Sequence, residues 1–179
     1  MADELIDICD EDNKPLGVQK TKGEAHEKGL WHRACHIWIF NSRGEMLLQL
    51  RAKEKRLFPD MWDAAVGGHI AAGEEALTTA VREAEEELGL VIAAEDLEFF
   101  KIFKKEITRG EIKNKEFYYD YIFRYDGPSD DLRLQKEEVQ AVKFVPIQKL
   151  EDDLIAEPEK YVPHGDYWFE VIKEIKRKI

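Results

Sequence analysis

The stretch from Gly67 to Leu90 constrains this chain more than any other part of it. Residues 64–70 read as a short strand with two adjacent glycines, Gly67 and Gly68, inside it. Over 74–88 the residues Ala76, Leu77, Ala80, Val81, Ala84 and Leu88 recur at helical period, which predicts an amphipathic helix. Gly89 stands where such a helix would stop. Each helical residue turns about 100° from the last, so Glu83, Glu86 and Glu87 project within one sector at the edge of the apolar stripe. Carboxylates so placed repel: a pair ~4 Å apart costs about 1 kcal/mol in water and nearer ~4 kcal/mol when partly desolvated. A hard divalent cation removes that repulsion, oxygen donors suit Mg²⁺, and the same ion can bridge phosphate oxygens. Glycines just before the helix let the backbone come close to a metal or a phosphate. Most glutamate-rich helix faces are only solvated surface. Here the carboxylates flank the core stripe, Arg82 sits among them, and a glycine-rich strand end leads straight into the helix.

Around this helix the chain reads mostly as strands. Leu5, Ile6 and Ile8 lie in a short strand-like run, and residues 10–17 form a turn built on Asn13, Pro15 and Gly17. Residues 31–40 are rich in aromatic and β-branched side chains; 41–44 is a hairpin turn and 45–51 its return strand. Residues 52–62 form a charged loop. Two long strands are expected over 97–108 and 116–125, and another over 139–145. A short helix opens at Pro146, and an amphipathic helix covers 167–179. Strands with helices inserted, without regular βα alternation, indicate an α+β fold with helices packed outside a sheet. No repeat or linker divides residues 1–179, which read as a single domain large enough for one core.

Charge narrows the function. The formal net charge is −11. That argues against nucleic acid or an anionic membrane as partner, since both want a basic face. No apolar run approaches the ~20 residues of a membrane span. A small phosphorylated ligand remains compatible, because bound divalent metal reverses the field of a carboxylate-lined site. The two cysteines, Cys9 and Cys35, make no disulfide framework. Residues 1–10 are acidic and lack a signal peptide's basic start, so the protein is expected to be cytoplasmic.

The central segment resembles the Nudix box. In that motif a glycine is followed, after five residues, by Glu and, after seven more, by Arg-Glu. Then come an apolar residue, any residue, Glu-Glu, any residue, Gly and an apolar residue. Gly68, Glu74, Arg82, Glu83, Glu86, Glu87 and Gly89 stand at every fixed position, with Ala84 and Leu90 at the apolar ones. The strand order on either side is also similar to the family's fold, an α/β/α sandwich with a mixed β-sheet. The resemblance implies water attack at phosphorus in a small-molecule diphosphate, with Mg²⁺ as cofactor and Mn²⁺ as substitute. It implies Glu86 and Glu87 as central metal ligands with the Gly67 carbonyl as a third, and Glu83 as a ligand or as the base. Gly68 would lie beside the substrate, while Glu74, Arg82 and Gly89 would be structural. Members often take a further carboxylate from beyond the box. Here that points to Glu138 as base or extra ligand, with Glu137 beside it and Glu116 as another candidate.

A second resemblance lies upstream. His26, the run Leu30-Trp31-His32-Arg33-Ala34 and the following Trp38-Ile39-Phe40-Asn41 look like the N-terminal part of type 1 isopentenyl-diphosphate isomerases, which share the Nudix fold. In that resemblance His26, His32, His69 and Glu116 match residues that bind a divalent metal, which implies a second metal site. The alternative is structural packing, with His32 and His36 on one face of a strand. The isomerase's catalytic cysteine is replaced by Gly67, and an acidic ligand two residues before Glu116 by Asn114. Isomerisation needs a positioned acid and base. Hydrolysis of a nucleoside-diphosphate-linked or similar substrate is therefore the first expectation. An isomerase-like enzyme and a non-catalytic diphosphate-binding module are the alternatives. Of the basic residues Arg51, Lys53, Lys55 and Arg56, Arg51 is the expected phosphate contact. Phe58 and Trp62 read as core, with stacking on a substrate ring as the alternative. The oligomeric state is open, a dimer included.

Overall fold

The computed structural model describes residues 4–179, so the first three residues of the acidic N-terminal stretch lie outside the described part. In chain order its elements are β1 (Leu5–Cys9), β2 (Pro15–Thr21), α1 (Lys22–Lys28), β3 (Trp31–Phe40), β4 (Glu45–Arg51), β5 (Trp62–Ala64) and β6 (Val66–His69). Then follow α2 (Ala76–Leu88), β7 (Glu98–Arg109), β8 (Ile112–Arg124), β9 (Val139–Pro146), α3 (Ile147–Ala156) and α4 (Asp166–Lys176).

Side chains of a strand alternate between its faces. From β3, Ala34, Trp38 and Phe40 enter a core with Leu150 of α3 and Trp168, Val171 and Ile175 of α4. Cys35, Ile37 and Ile39 enter a second core with Ala80, Ala84 and Leu88 of α2. The sheet is thus covered on both faces, and β3 is accordingly an almost continuous apolar run. The result is the expected α/β/α sandwich. The sheet is mixed: β8 runs parallel to β3 from Trp31↔Lys115 to Phe40↔Arg124, while β6 and β4 pair antiparallel with β3. β4 also carries β5 and β9, and β7 returns on β8 as a long hairpin.

Several boundaries differ from expectation. β2 takes up part of the residues read as a turn and pairs with β1. α1 has no counterpart in the sequence reading. Its signal is a capping box: Thr21 Oγ1 accepts from the Glu24 N–H at 3.2 Å, and Gly29 ends the helix in the left-handed region. Its seven residues are too few for an apolar period to show. The strand expected over 64–70 is split because the chain changes partner, from β4 to β3. β8 starts at Ile112, ahead of its expected beginning. β1 steadies the approach to α2. Leu5 O accepts from the Ala72 N–H and Asp7 Oδ2 from the Gly73 N–H, both at 2.8 Å. Both cysteines are buried and free. No described helix is long and apolar enough to cross a membrane.

Gly89 closes α2 at φ 63°, its N–H reaching the Ala84 and Glu85 carbonyls. A Cβ there would stand 3.0 Å from Arg133 Cβ. Gly89→Ala is expected to lower stability by about 1–2 kcal/mol. Urea unfolding should show a lower midpoint at unchanged slope; an unaltered midpoint would contradict the left-handed cap.

Candidate functional site

α2 presents its carboxylates to the glycine end of β6. Glu87 is buried and accepts hydrogen bonds from the Gly67 N–H and Gln49 Nε2, both at 3.2 Å. Glu83 packs on Gly68 so closely that a Cβ on that glycine would overlap its carboxyl. Arg82 ties the rest together. Its NH1 donates to Glu83 Oε1 at 2.9 Å and Glu86 Oε2 at 3.0 Å, and its NH2 to Glu74 Oε2 at 3.3 Å. Glu74 also accepts from Thr79 Oγ1 at 2.7 Å. One planar guanidinium therefore holds three carboxylates. Burial, with the nearby charge of Glu83, pushes the Glu87 carboxyl up to about 7. Burial also raises Glu83, with Glu86 and Glu4 adding to the effect and Arg82 opposing it. Oxygen donors whose charge is disfavoured in this way suit a hard divalent cation.

Glu83, Glu86 and Glu87 border a cavity of about 750 Å³. Lys55, from the charged loop, reaches the same cavity and pairs with Glu138. Burial, with the charge of Arg51, lowers the Lys55 ammonium to about 8. Arg51 also lines the cavity, but its guanidinium is directed inward. NH1 donates to Asp63 Oδ2 at 3.0 Å, and Nε and NH2 donate to the Phe58 and Leu57 carbonyls at 3.1 Å. Glu138 lines the cavity, whereas Glu137 is exposed and not part of its wall. Both stand in the turn before β9, and of the two only Glu138 reaches the cavity.

A second group converges where α1, β3, β6 and β8 meet. The ligand atoms of His26, His32, His69 and Glu116 all lie within 4.8 Å of one another. Register accounts for this: His32 pairs with Glu116, and Ala34 with His69. His32 Nδ1–H donates to the Leu30 carbonyl at 2.9 Å, so in the neutral ring Nε2 faces the group as a lone pair. Among the described residues, the Nε2 atoms of all three rings are buried without a hydrogen-bond partner. Those of His32 and His69 stand 3.4 Å and 3.0 Å from Glu116 Oε1. Burial, with His32 beside it, lowers His26 to about 4; burial, with the charge of Lys22, lowers His69 to about 3. Burial opposes ionisation of Glu116, yet the neighbouring imidazoles hold its carboxyl well below the usual range. Its Oε2 accepts from Asn114 Nδ2 and Tyr118 OH. Three imidazole nitrogens and a carboxylate brought together in a buried place fit a bound cation, and imidazole with carboxylate suits zinc or manganese.

His32 and His36 do share a strand face, but His36 belongs to a different network. Its Nδ1 lies 2.7 Å from Tyr167 OH, which donates to Asp120 Oδ1 at 2.7 Å. Trp38 Nε1 donates to Asp120 Oδ2 at 2.7 Å. Beside it His164 Nε2 donates to Asp63 Oδ1 at 2.8 Å. Sequence reasoning missed Gln49, Asp63 and His164. Gln49 and Asp63 meet through the β4–β5 register, which no local residue pattern reports.

The sequence profile of the NUDIX domain matches residues 8–165. The chain is 38% identical over 184 residues to Nudix hydrolase 3 of Arabidopsis thaliana, a match covering 97% of this chain and 24% of that protein. It thus spans about a quarter of that relative's length. It is 33% identical over 165 residues to an isopentenyl-diphosphate Delta-isomerase of Pectobacterium atrosepticum, covering 92% of this chain and 86% of the isomerase. Among solved structures, DR0079 from Deinococcus radiodurans shares the fold at a TM-score of 0.68 and 22% identity, over 96% of this chain and 98% of that one.

Glu87→Gln keeps an acceptor for Gly67 and Gln49 while removing the buried charge. A carboxyl raised on folding destabilises the native state as pH climbs from its ordinary 4.5 to about 7. In chelator-treated protein at pH 7.5 the variant should melt roughly 5 °C or more above the parent, with the gap closing towards pH 4.5. Equal melting at both pH values would remove the electrostatic cost attributed to Glu87.

Proposed function

The chain belongs to the Nudix family, and we propose that it hydrolyses a small-molecule diphosphate by attack of water at phosphorus. The substrate class is a nucleoside-diphosphate-linked compound or one of similar chemistry. The observation that carries this reading is the placement of α2. Every fixed residue of the box is present, and Glu83, Glu86 and Glu87 border with Gly67 and Gly68 a cavity of a size suited to such a ligand. Glu83, Glu86, Glu87 and the Gly67 carbonyl would hold Mg²⁺, or Mn²⁺ in its place. When bound, the ion supplies neutralisation of phosphate charge and Lewis acidity. Arg82 keeps Glu83 and Glu86 side by side, and Glu74 braces Arg82 from behind. Lys55 exchanges its partner Glu138 for the incoming phosphate, and Glu138, so freed, takes the proton of the attacking water. Arg51 serves by fixing the loop that carries Lys55.

His26, His32, His69 and Glu116 would hold a second, transition metal, a reading supported by three buried nitrogens that lack a hydrogen-bond partner among the described residues. The isomerase reading draws on the same group and on the 33% identical relative. The glycine at position 67, which offers no side chain to move a proton, and the complete box favour hydrolysis.

With Mg²⁺, at least one compound in a diphosphate panel should release phosphate or a monophosphate, and Glu86→Gln should lower kcat/KM roughly 100-fold. Full activity in that variant, or no turnover across the panel, would overturn the reading. Protein purified without a histidine tag should contain zinc or manganese that His32→Ala loses; elemental analysis finding neither metal removes the second site. Deuterium incorporation into isopentenyl diphosphate would instead identify an isomerase.

A further inference from the structure

Beside Gly67 the cavity is walled by two imidazoles that neither proposed metal group uses, His36 and His164. Their ring centroids lie 5.6 Å apart, and each ring is anchored through one nitrogen. His164 Nε2 bonds to Asp63 Oδ1 at 2.8 Å, and Asp63 is itself fixed by Arg51 NH1 at 3.0 Å and the Ala64 N–H at 2.8 Å. That leaves His164 Nδ1 buried with no hydrogen-bond partner among the described residues, in a residue that is 1% exposed. His36 is held at Nδ1 by Tyr167 and stacks on Tyr118 at a centroid distance of 4.3 Å. Its other edge faces position 67, where a Cβ would come within 2.9 Å of Cδ2 and 3.2 Å of Nε2. Any side chain at 67 would cover that edge, and glycine leaves it open.

We propose that His36 and His164 recognise the non-phosphate part of the substrate, and that this part is a hydroxylated ring, a sugar. The proposal rests on the diphosphate-hydrolase reading for where the phosphates lie. A buried polar atom without a partner costs about 1–3 kcal/mol, so a ligand group that satisfies it is favoured over one that does not. The required group must suit two ring nitrogens. The Tyr167 hydroxyl donates to Asp120, so His36 Nδ1–H donates to the Tyr167 oxygen and Nε2 is an acceptor in the neutral ring. His164 Nε2–H donates to Asp63, so Nδ1 is likewise an acceptor in the neutral ring. A hydroxyl donates to either nitrogen, whereas a carbonyl donates to neither and a prenyl chain offers no polar partner. Leu57, Phe58 and Val162 form an apolar cluster on the same cavity wall. A sugar ring carries the matching surfaces, with C–H groups on its faces and hydroxyls around its rim.

The test is calorimetric titration of the intact chain with nucleoside diphosphate sugars, their single-deoxy derivatives and isopentenyl diphosphate, alongside hydrolysis rates with Mg²⁺. At least one deoxy derivative should bind about tenfold or more weakly than its parent, and isopentenyl diphosphate more weakly still. In His164→Phe, and separately in His36→Phe, the parent sugar should fall to the level of that deoxy derivative, whose own binding shifts by less than about threefold. Absence of binding by every sugar, or wild-type affinities for parent, deoxy and prenyl compounds within about threefold of one another, would overturn the proposal even where a variant fails to fold. Sugar-selective binding without hydrolysis would sink the hydrolase reading alone. Hydrolysis indifferent to the sugar would sink this proposal alone.

Discussion

The parallel pairing of β3 with β8 sets His32 opposite Glu116 and His36 opposite Asp120, and most of the polar interior follows from that register. A slip of one residue would turn Glu116 away from the histidines and towards the α2 side of the sheet. The register is held by apolar side chains on both faces, Trp38 and Ile122 on one, Ile37 and Tyr121 on the other. The two hydrophobic cores therefore decide where the charged groups meet. Asp120 shows how tightly that placement binds. Burial raises its carboxyl well above the usual range, and it is tolerated because Trp38 and Tyr167 both donate to it.

Loop geometry does for the cations what strand register does for the histidines. Phe58 and Asp60 sit at φ 53° and 58°, a region that side-chain-bearing residues seldom occupy. Arg51 holds this bend by bonding to the Leu57 and Phe58 carbonyls. Its guanidinium thereby shapes the wall that Leu57 and Phe58 give to the cavity. The strained turn persists because the surrounding bonds over-determine it.

The parts of the site that were legible in the sequence are local ones. Helical period located α2, and fixed spacing along one helix placed Glu83, Glu86 and Glu87 in one sector. Their unequal burial, with Glu87 enclosed and Glu86 exposed, depends on what lies across from each. The histidine group was legible only through resemblance, because its members come from four separate elements. Glu137 and Glu138 could not be told apart without knowing which face of the approach to β9 meets the cavity. Arg51 was expected at a phosphate, but the bend at Phe58, invisible in composition, brings carbonyls to its guanidinium. His164 lies in an irregular segment, where no period operates, and only the tertiary fold brings it to Asp63.

The Arg82 clamp gives the acidic helix a resident counter-ion. Small metal-dependent domains often remain unfolded until they are loaded; here the fold need not wait, since a guanidinium already quiets the repulsion between Glu83 and Glu86. The same clamp limits how far those two carboxylates can splay, because Glu74 holds the far side of the guanidinium. The helix thus carries its own pre-set spacing of negative charge, fixed by a side chain that cannot diffuse away.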